Sequence, residues 1–305
     1  MPHPPSGEQF EIALGAQRAT IVEVGGGIRE YFVGDRAVLD PYPREAICDG
    51  AHGAPLIPWP NRLADGRYDF DGSGYQLALT EPGKRNAIHG LLRWQSWRVL
   101  ERSGERVEMG IRLAPQPGWP FAIEVSVDYA LGENGLSVLT RAHNSGHVPC
   151  PFGCGQHPYL SPGEGLIDAC TVELRAATRI VTDPERQLPV GREPVRGTSF
   201  DFTSPRLIGD QEIDFALTDL ERDADGRVWV RMGCPDGRTV ELWADDSYKV
   251  IQLYTGDKLA PARRRRGLAA EPMTCPANAL RTGEDLVRLE PGNTHVCRWG
   301  VRLAA

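Results

Sequence analysis

With 305 residues, 41% of them apolar, and a net charge of −7, the chain can bury a large core but lacks the basic surface that nucleic acid or an anionic membrane would require. No apolar run approaches the ~20 residues of a membrane-spanning helix, and Met1-Pro-His-Pro-Pro-Ser-Gly7 lacks the charged-then-apolar layout of a secretion signal, so a cytoplasmic protein is expected. The seven cysteines are odd in number and irregularly spaced, which suits reduced thiols better than a disulfide framework.

In chain order, residues 1–9 read as a disordered Pro-rich lead. Residues 19–24 and 29–33 read as short strands around Gly25-Gly26-Gly27, a tight turn, since the glycines lack the spacing of a dinucleotide loop and no helical pattern follows. Residues 97–102 and 106–113 flank Ser103-Gly104-Glu105 as a hairpin. Residues 121–131 and 136–142 alternate with period two about the turn 132–135, and 228–232, 239–243, 249–254 and 295–303 continue the pattern. No segment holds a 3.6-residue period, and no linker or repeat divides the chain. The expectation is one all-β domain over residues 1–305.

Three polar clusters lie between these strands, where loops of a β scaffold bring residues together. In Pro58-Trp-Pro-Asn61-Arg62, the planar donor fork of Arg62 suits paired oxygens such as neighbouring sugar hydroxyls, and Asn61 both donates and accepts. In Asn86-Ala-Ile-His89-Gly90-Leu-Leu-Arg93-Trp94, His89 is either a pocket imidazole or a satisfied, partly buried residue, and Trp94 and Trp97 fit a core better than a stacking platform. In Gly153-Cys-Gly-Gln-His157-Pro158-Tyr159, the glycines allow close backbone approach and the proline stiffens the chain after the imidazole. Further on, Gly267-Leu-Ala-Ala-Glu271-Pro-Met273 sets one carboxylate among small and apolar residues. Desolvation there would raise its pKa from ~4.3 toward the range of a general base; the competing reading is a surface Glu in a Pro-rich loop.

The ordered set Asn61-Arg62, His89-Gly90, His157-Pro158-Tyr159, Ile213-Asp214, Gln252-Leu-Tyr254-Thr-Gly256 and Gly267-Leu-Ala-Ala-Glu271-Pro272 resembles the aldose 1-epimerase (galactose mutarotase) family from about Ile21 to Leu303. Each motif is short; six in order make a joint signal. The resemblance implies a β-supersandwich, an isomerase that interconverts the α and β anomers of a free sugar, no cofactor, and a monomer or homodimer. It would make Glu271 the catalytic base, His157 the catalytic acid, His89 a second imidazole near the ring oxygen, and Asn61, Arg62 and Asp214 substrate-binding residues. The chemistry makes the same demand. Opening a cyclic hemiacetal needs a base at the anomeric hydroxyl and an acid at the ring oxygen, and a Glu of raised pKa with a His near neutrality serves both directions.

Two departures bear on the substrate. Family members often carry Phe after His-Pro-Tyr and a second His after the binding Asp, where this chain has Leu160 and Phe215, so altered sugar contacts are expected and galactose is not presumed. The form Arg266-Gly-Leu-Ala-Ala-Glu-Pro-Met-Thr274 resembles a bacterial branch. The alternatives are a non-catalytic carbohydrate-binding protein on the same fold, and a zinc site drawn from His143, His147, Cys150, Cys154 and His157, disfavoured by the absence of a C-x-x-C pair. Finally, Arg263 to Arg266 form either a solvated loop or an anion-binding lip over the pocket, five residues ahead of Glu271.

Overall fold

The computed structural model of the protein describes residues 4–304. Two large antiparallel sheets dominate, one of 12 strands and one of nine, with three two-stranded ribbons beside them. The path of the larger sheet starts with the N-terminal strands Gln9–Leu14, Gln17–Val22, Ile28–Val33 and Arg36–Leu39. It continues through Tyr159–Leu160, Leu268–Met273, Val250–Tyr254, Asp214–Leu220, Ala176–Thr182 and Pro189–Pro194. The smaller runs Arg98–Arg102, Arg106–Leu113, Ile123–Gly132, Gly135–Asn144, Thr294–Ala304, Thr239–Ala244, Val228–Gly233, Thr171–Leu174, Arg206–Leu207. One apolar cluster takes side chains from both sheets, among them Tyr31 and Leu253 from the first and Val127, Trp299 and Val230 from the second. This is the expected β-supersandwich. Helix among the described residues is confined to Ala279–Thr282 and two short 3-10 turns, and none is long and apolar enough to cross a membrane.

The alternating segments become strands because period two buries one face and wets the other. Ile123–Gly132 shows it, with Ile123, Val125, Val127, Tyr129 and Leu131 buried and their neighbours less so. At the triple glycine, Gly25 and Gly26 have φ of +87° and +64°, and a Cβ on either would lie under 3 Å from Arg93 or Trp97, so the turn needs glycine twice over.

One expectation changes, and of the two readings of the Glu271 segment the desolvated one holds. Residues 1–3 of the presumed disordered lead lie outside the described residues, but 4–9 are tied down: Ser6 is buried, its carbonyl accepts from the Val24 N–H at 2.9 Å, and Gln9 opens a strand. The segment around Glu271 is not a surface loop. Leu268–Met273 is a six-residue strand buried along its whole length, paired with Val250–Tyr254 on one side and with Tyr159–Leu160 and Gly155–Gln156 on the other. Small side chains at Ala269 and Ala270 let it sit in the middle of the sheet with both faces covered, and Pro272 does not prevent this.

Candidate active site

Sheet register decides what meets at the centre of the larger sheet. Glu271 stands opposite Gln252, Asp214 opposite Tyr254, and Tyr159 opposite Ala269, so side-chain alternation puts Tyr159, Glu271, Gln252, Tyr254 and Asp214 on one face. All five line a cavity of about 340 Å³, a volume that suits a monosaccharide.

Two further segments complete the wall. Arg62–Ala64 pairs with Asn86–Ile88, and the two are locked where they end: the His89 N–H donates to the Asn61 carbonyl at 2.9 Å, and the Asn61 N–H donates to His89 Nδ1 at 3.2 Å. With Nδ1 accepting, a neutral His89 carries its proton on Nε2. His89 and Gly90 both have positive φ, and a Cβ on Gly90 would lie 1.9 Å from the Ile57 carbonyl oxygen, so only glycine lets the chain turn there. The second segment follows Gly155–Gln156, where backbone bonds to Gly53 and Ala54 hold His157.

His157 Nε2 lies 3.3 Å from Glu271 Oε1, with both residues buried, at 4% and 2% exposure. His157 Nδ1 and Glu271 Oε2 are buried without hydrogen-bond partners, which leaves acid/base capacity unspent at the cavity. The His89 ring centre is 5.4 Å from that of His157; on its other side His157 lies over Tyr159, which stacks on His52 at 3.7 Å.

Burial sets the protonation of this group. It pushes the Glu271 carboxyl well above the ordinary range; the negative charge of Asp214 adds to the rise and Arg62 opposes it. Burial likewise lowers His157 to about 3, helped by His52 and Arg93, and lowers His89 well below its usual value, helped by His157. The expectation of a His157 titrating near neutrality is therefore corrected: burial disfavours the charged form of both groups, and carboxyl and imidazole meet 3.3 Å apart with their neutral forms favoured.

Around the pair lies a shell of hydrogen-bonding groups. Asp214 accepts from Gln252 Nε2 at 3.0 Å and from Gln187, and Lys258 Nζ lies 3.2 Å away. Arg62 binds Glu81 with both arms of its fork, at 2.9 and 3.0 Å. Asn61, Arg62, His89, His157, Asp214 and Glu271 thus all line the one cavity, as do Glu81, Lys84, Gln187 and Lys258, which sequence reasoning missed. Those four sit in no motif and gain their place only because distant turns converge.

Three further readings meet the structure. Residues proposed as an alternative zinc site diverge: His143 meets Thr294, His147 is exposed, Cys150 lies on a strand opposite Leu289, His157 faces Glu271, and only Cys154 finds another thiol. The arginine run is neither a uniformly solvated loop nor a lip. Arg263 is tied to Asp40 at 2.9 Å and to the Pro41 carbonyl, Arg265 to Asp257 at 2.8 Å and Asp168 at 3.1 Å, and none of the four lines the cavity. Leu160 and Phe215 are core residues that do not line the cavity either, so the two departures are not changes in its wall.

The nearly all-strand sandwich is that of an aldose 1-epimerase-like protein, and the chain belongs to that family: the family model described as Aldose 1-epimerase matches residues 8–299. Among its relatives, the Escherichia coli (strain K12) protein YihR, itself uncharacterized, is 36% identical over 294 residues, covering 95% of this chain and 91% of that protein. Human galactose mutarotase is 27% identical over 295 residues, 87% of this chain and 82% of the relative. The fold matches the solved structures of the GalM/aldose epimerase homologue from C. elegans (TM-score 0.86, 19% identity, 97% and 98% of the two chains) and of galactose 1-epimerase from Lactobacillus acidophilus (TM-score 0.81, 17% identity, 97% and 93%).

Proposed function

We propose that the protein is an aldose 1-epimerase that interconverts the α and β anomers of a free sugar, with Glu271 as base and His157 as acid. The observation that carries this reading is the buried Glu271–His157 contact of 3.3 Å on the wall of a sugar-sized cavity. The anomeric hydroxyl and the ring oxygen of a pyranose are bonded to the same carbon, so the groups serving them must be neighbours. On sugar binding the Glu271 carboxyl proton passes to the adjacent His157, and from that ion pair Glu271 removes the hydroxyl proton while His157 protonates the ring oxygen; the ring opens, the aldehyde turns about its C1–C2 bond, and the reverse transfers reclose it on the other face. After these transfers the pair has returned to carboxylic acid and neutral imidazole, the state that burial favours, so the ring-opened intermediate is formed without leaving charge on the buried pair. His89 donates from Nε2 toward the ring oxygen, and Asn61, Arg62 and Asp214 hold the hydroxyls of the part that stays still.

Exchange NMR on a panel of aldoses, neutral and anionic, tests the reading. Glu271→Gln and His157→Asn should each lower turnover by ~10²–10⁴-fold while leaving the fold intact. Sugar binding without anomer exchange in the wild type would leave a carbohydrate-binding protein, and more than half of wild-type exchange in Glu271→Gln would remove Glu271 from the chemistry.

A further inference from the structure

Behind the sugar cavity lies a second group of reactive side chains that the epimerase reading does not use. On strand Thr294–Ala304, His295 and Cys297 are two residues apart and therefore point to the same, inward face. They meet Cys154, which comes from the segment leading into His157. The Cys154 and Cys297 Sγ atoms are 3.3 Å apart, and the two sulfurs and an imidazole nitrogen of His295 all lie within 4.8 Å of one another. Both cysteines are buried, at 1% and 0% exposure. The buried Nε2 of His295 has no hydrogen-bond partner, and neither does the hydroxyl of the fully buried Tyr248.

We propose that Cys154, His295 and Cys297 form a zinc site, with the fourth position taken by the Tyr248 hydroxyl or by water. Two thiolates and an imidazole are donor types zinc prefers, and here they lie within 4.8 Å of one another. Charge balances. Each thiol gives up its proton, and two thiolates, a neutral imidazole and one Zn²⁺ leave a site of zero net charge, the condition under which ions are tolerated away from water. The site would also join the two layers. Cys297 and His295 belong to the nine-stranded sheet, while Cys154 exchanges backbone–side-chain bonds with Thr274: its N–H donates to Thr274 Oγ1 at 2.9 Å and its carbonyl accepts from the Thr274 N–H at 2.8 Å. Cys154 lies three residues before His157 and Thr274 three after Glu271, so zinc here would tie the second sheet to the ends of both site-bearing segments.

Metal analysis of the full chain, expressed with zinc and gel-filtered under reductant, tests this without reference to sugar chemistry. About one zinc per chain is expected, and replacement by Co²⁺ should give thiolate-to-cobalt charge-transfer absorption. Zinc should raise Tm. Cys297→Ser should lose both metal and absorption, and His295→Ala, near the surface and therefore safe for folding, should weaken binding at least ~10-fold. Reduced wild-type protein that takes up no zinc overturns the proposal. So does zinc retained equally in Cys297→Ser and His295→Ala, which would place the metal elsewhere, or a Cys154–Cys297 disulfide found by peptide mapping in place of metal.

Discussion

Glu271 and His157 are perturbed in opposite directions, and both perturbations reach the stability of the fold. An unfolded His titrates at 6.5 and folded His157 at about 3, so between those values the unfolded chain holds a proton that the folded chain does not. The contribution of His157 is complete above 6.5 and is lost as the pH falls through that window, by up to ~1.4 kcal/mol per pH unit. Glu271 does the reverse: its contribution is complete below 4.5 and is lost as the pH rises toward its elevated folded value. Denaturant unfolding of wild type and His157→Asn at about pH 7 and about pH 4 should show the wild type losing up to ~3 kcal/mol more than the variant on acidification. Parallel losses would mean that His157 is not held neutral by burial.

The element that carries His89 depends on a backbone conformation rather than on a side chain. Gly90 has φ of +71° and its missing Cβ leaves room for the Ile57 carbonyl, so Gly90→Ala must move one strand end or the other. We expect a loss of ~1–3 kcal/mol in denaturant unfolding, together with slowed anomer exchange, because the mutual Asn61–His89 hydrogen bonds sit in the same turn. A variant with wild-type stability would show that the turn yields freely. At this scale Leu268–Met273 is the least replaceable strand, since its Glu271 face forms the cavity while Leu268 and Ala270 on the other belong to the common core.

Across the whole molecule, the arginine run works as a fastener. Arg263 reaches Asp40, and Asp40 also binds His52, whose ring stacks on Tyr159, which in turn lies against the His157 imidazole. Asp40 is 4% exposed at its side chain, so Arg263→Met would leave a buried carboxylate with His52 but without its guanidinium and should cost ~3–5 kcal/mol. Arg264 bonds a single carbonyl from an exposed position and Arg266 is half exposed, 3.9 Å from Asp40, so Arg264→Ser and Arg266→Ser should stay within ~0.5 kcal/mol. Thermal unfolding of the three single variants separates these outcomes, and three equal, small shifts would contradict the network. The cations that line the cavity are instead Arg62 and Lys84, paired with Glu81, Lys258, paired with Asp214, and Arg93.

What the sequence determined by itself is what short spacing encodes. Period-two alternation marked Arg106–Leu113, Ile123–Gly132 and Val228–Gly233 to within a residue or two, and glycines marked the turns. Ordered short motifs marked six residues that meet in one cavity. Ala176–Thr182 and the edge strand Pro189–Pro194 beside it escaped notice because they bury too few side chains to alternate clearly. Tertiary structure alone decided the rest. It made the Glu271 segment a central strand, shifted His157 far from neutrality, paired Arg263 with a carboxylate 223 residues away and brought Cys154 to Cys297 across 143 residues. The reason is physical: a strand's period is a property of a few consecutive residues, whereas burial and charge pairing depend on which strands lie side by side and in what register, and no local spacing records that.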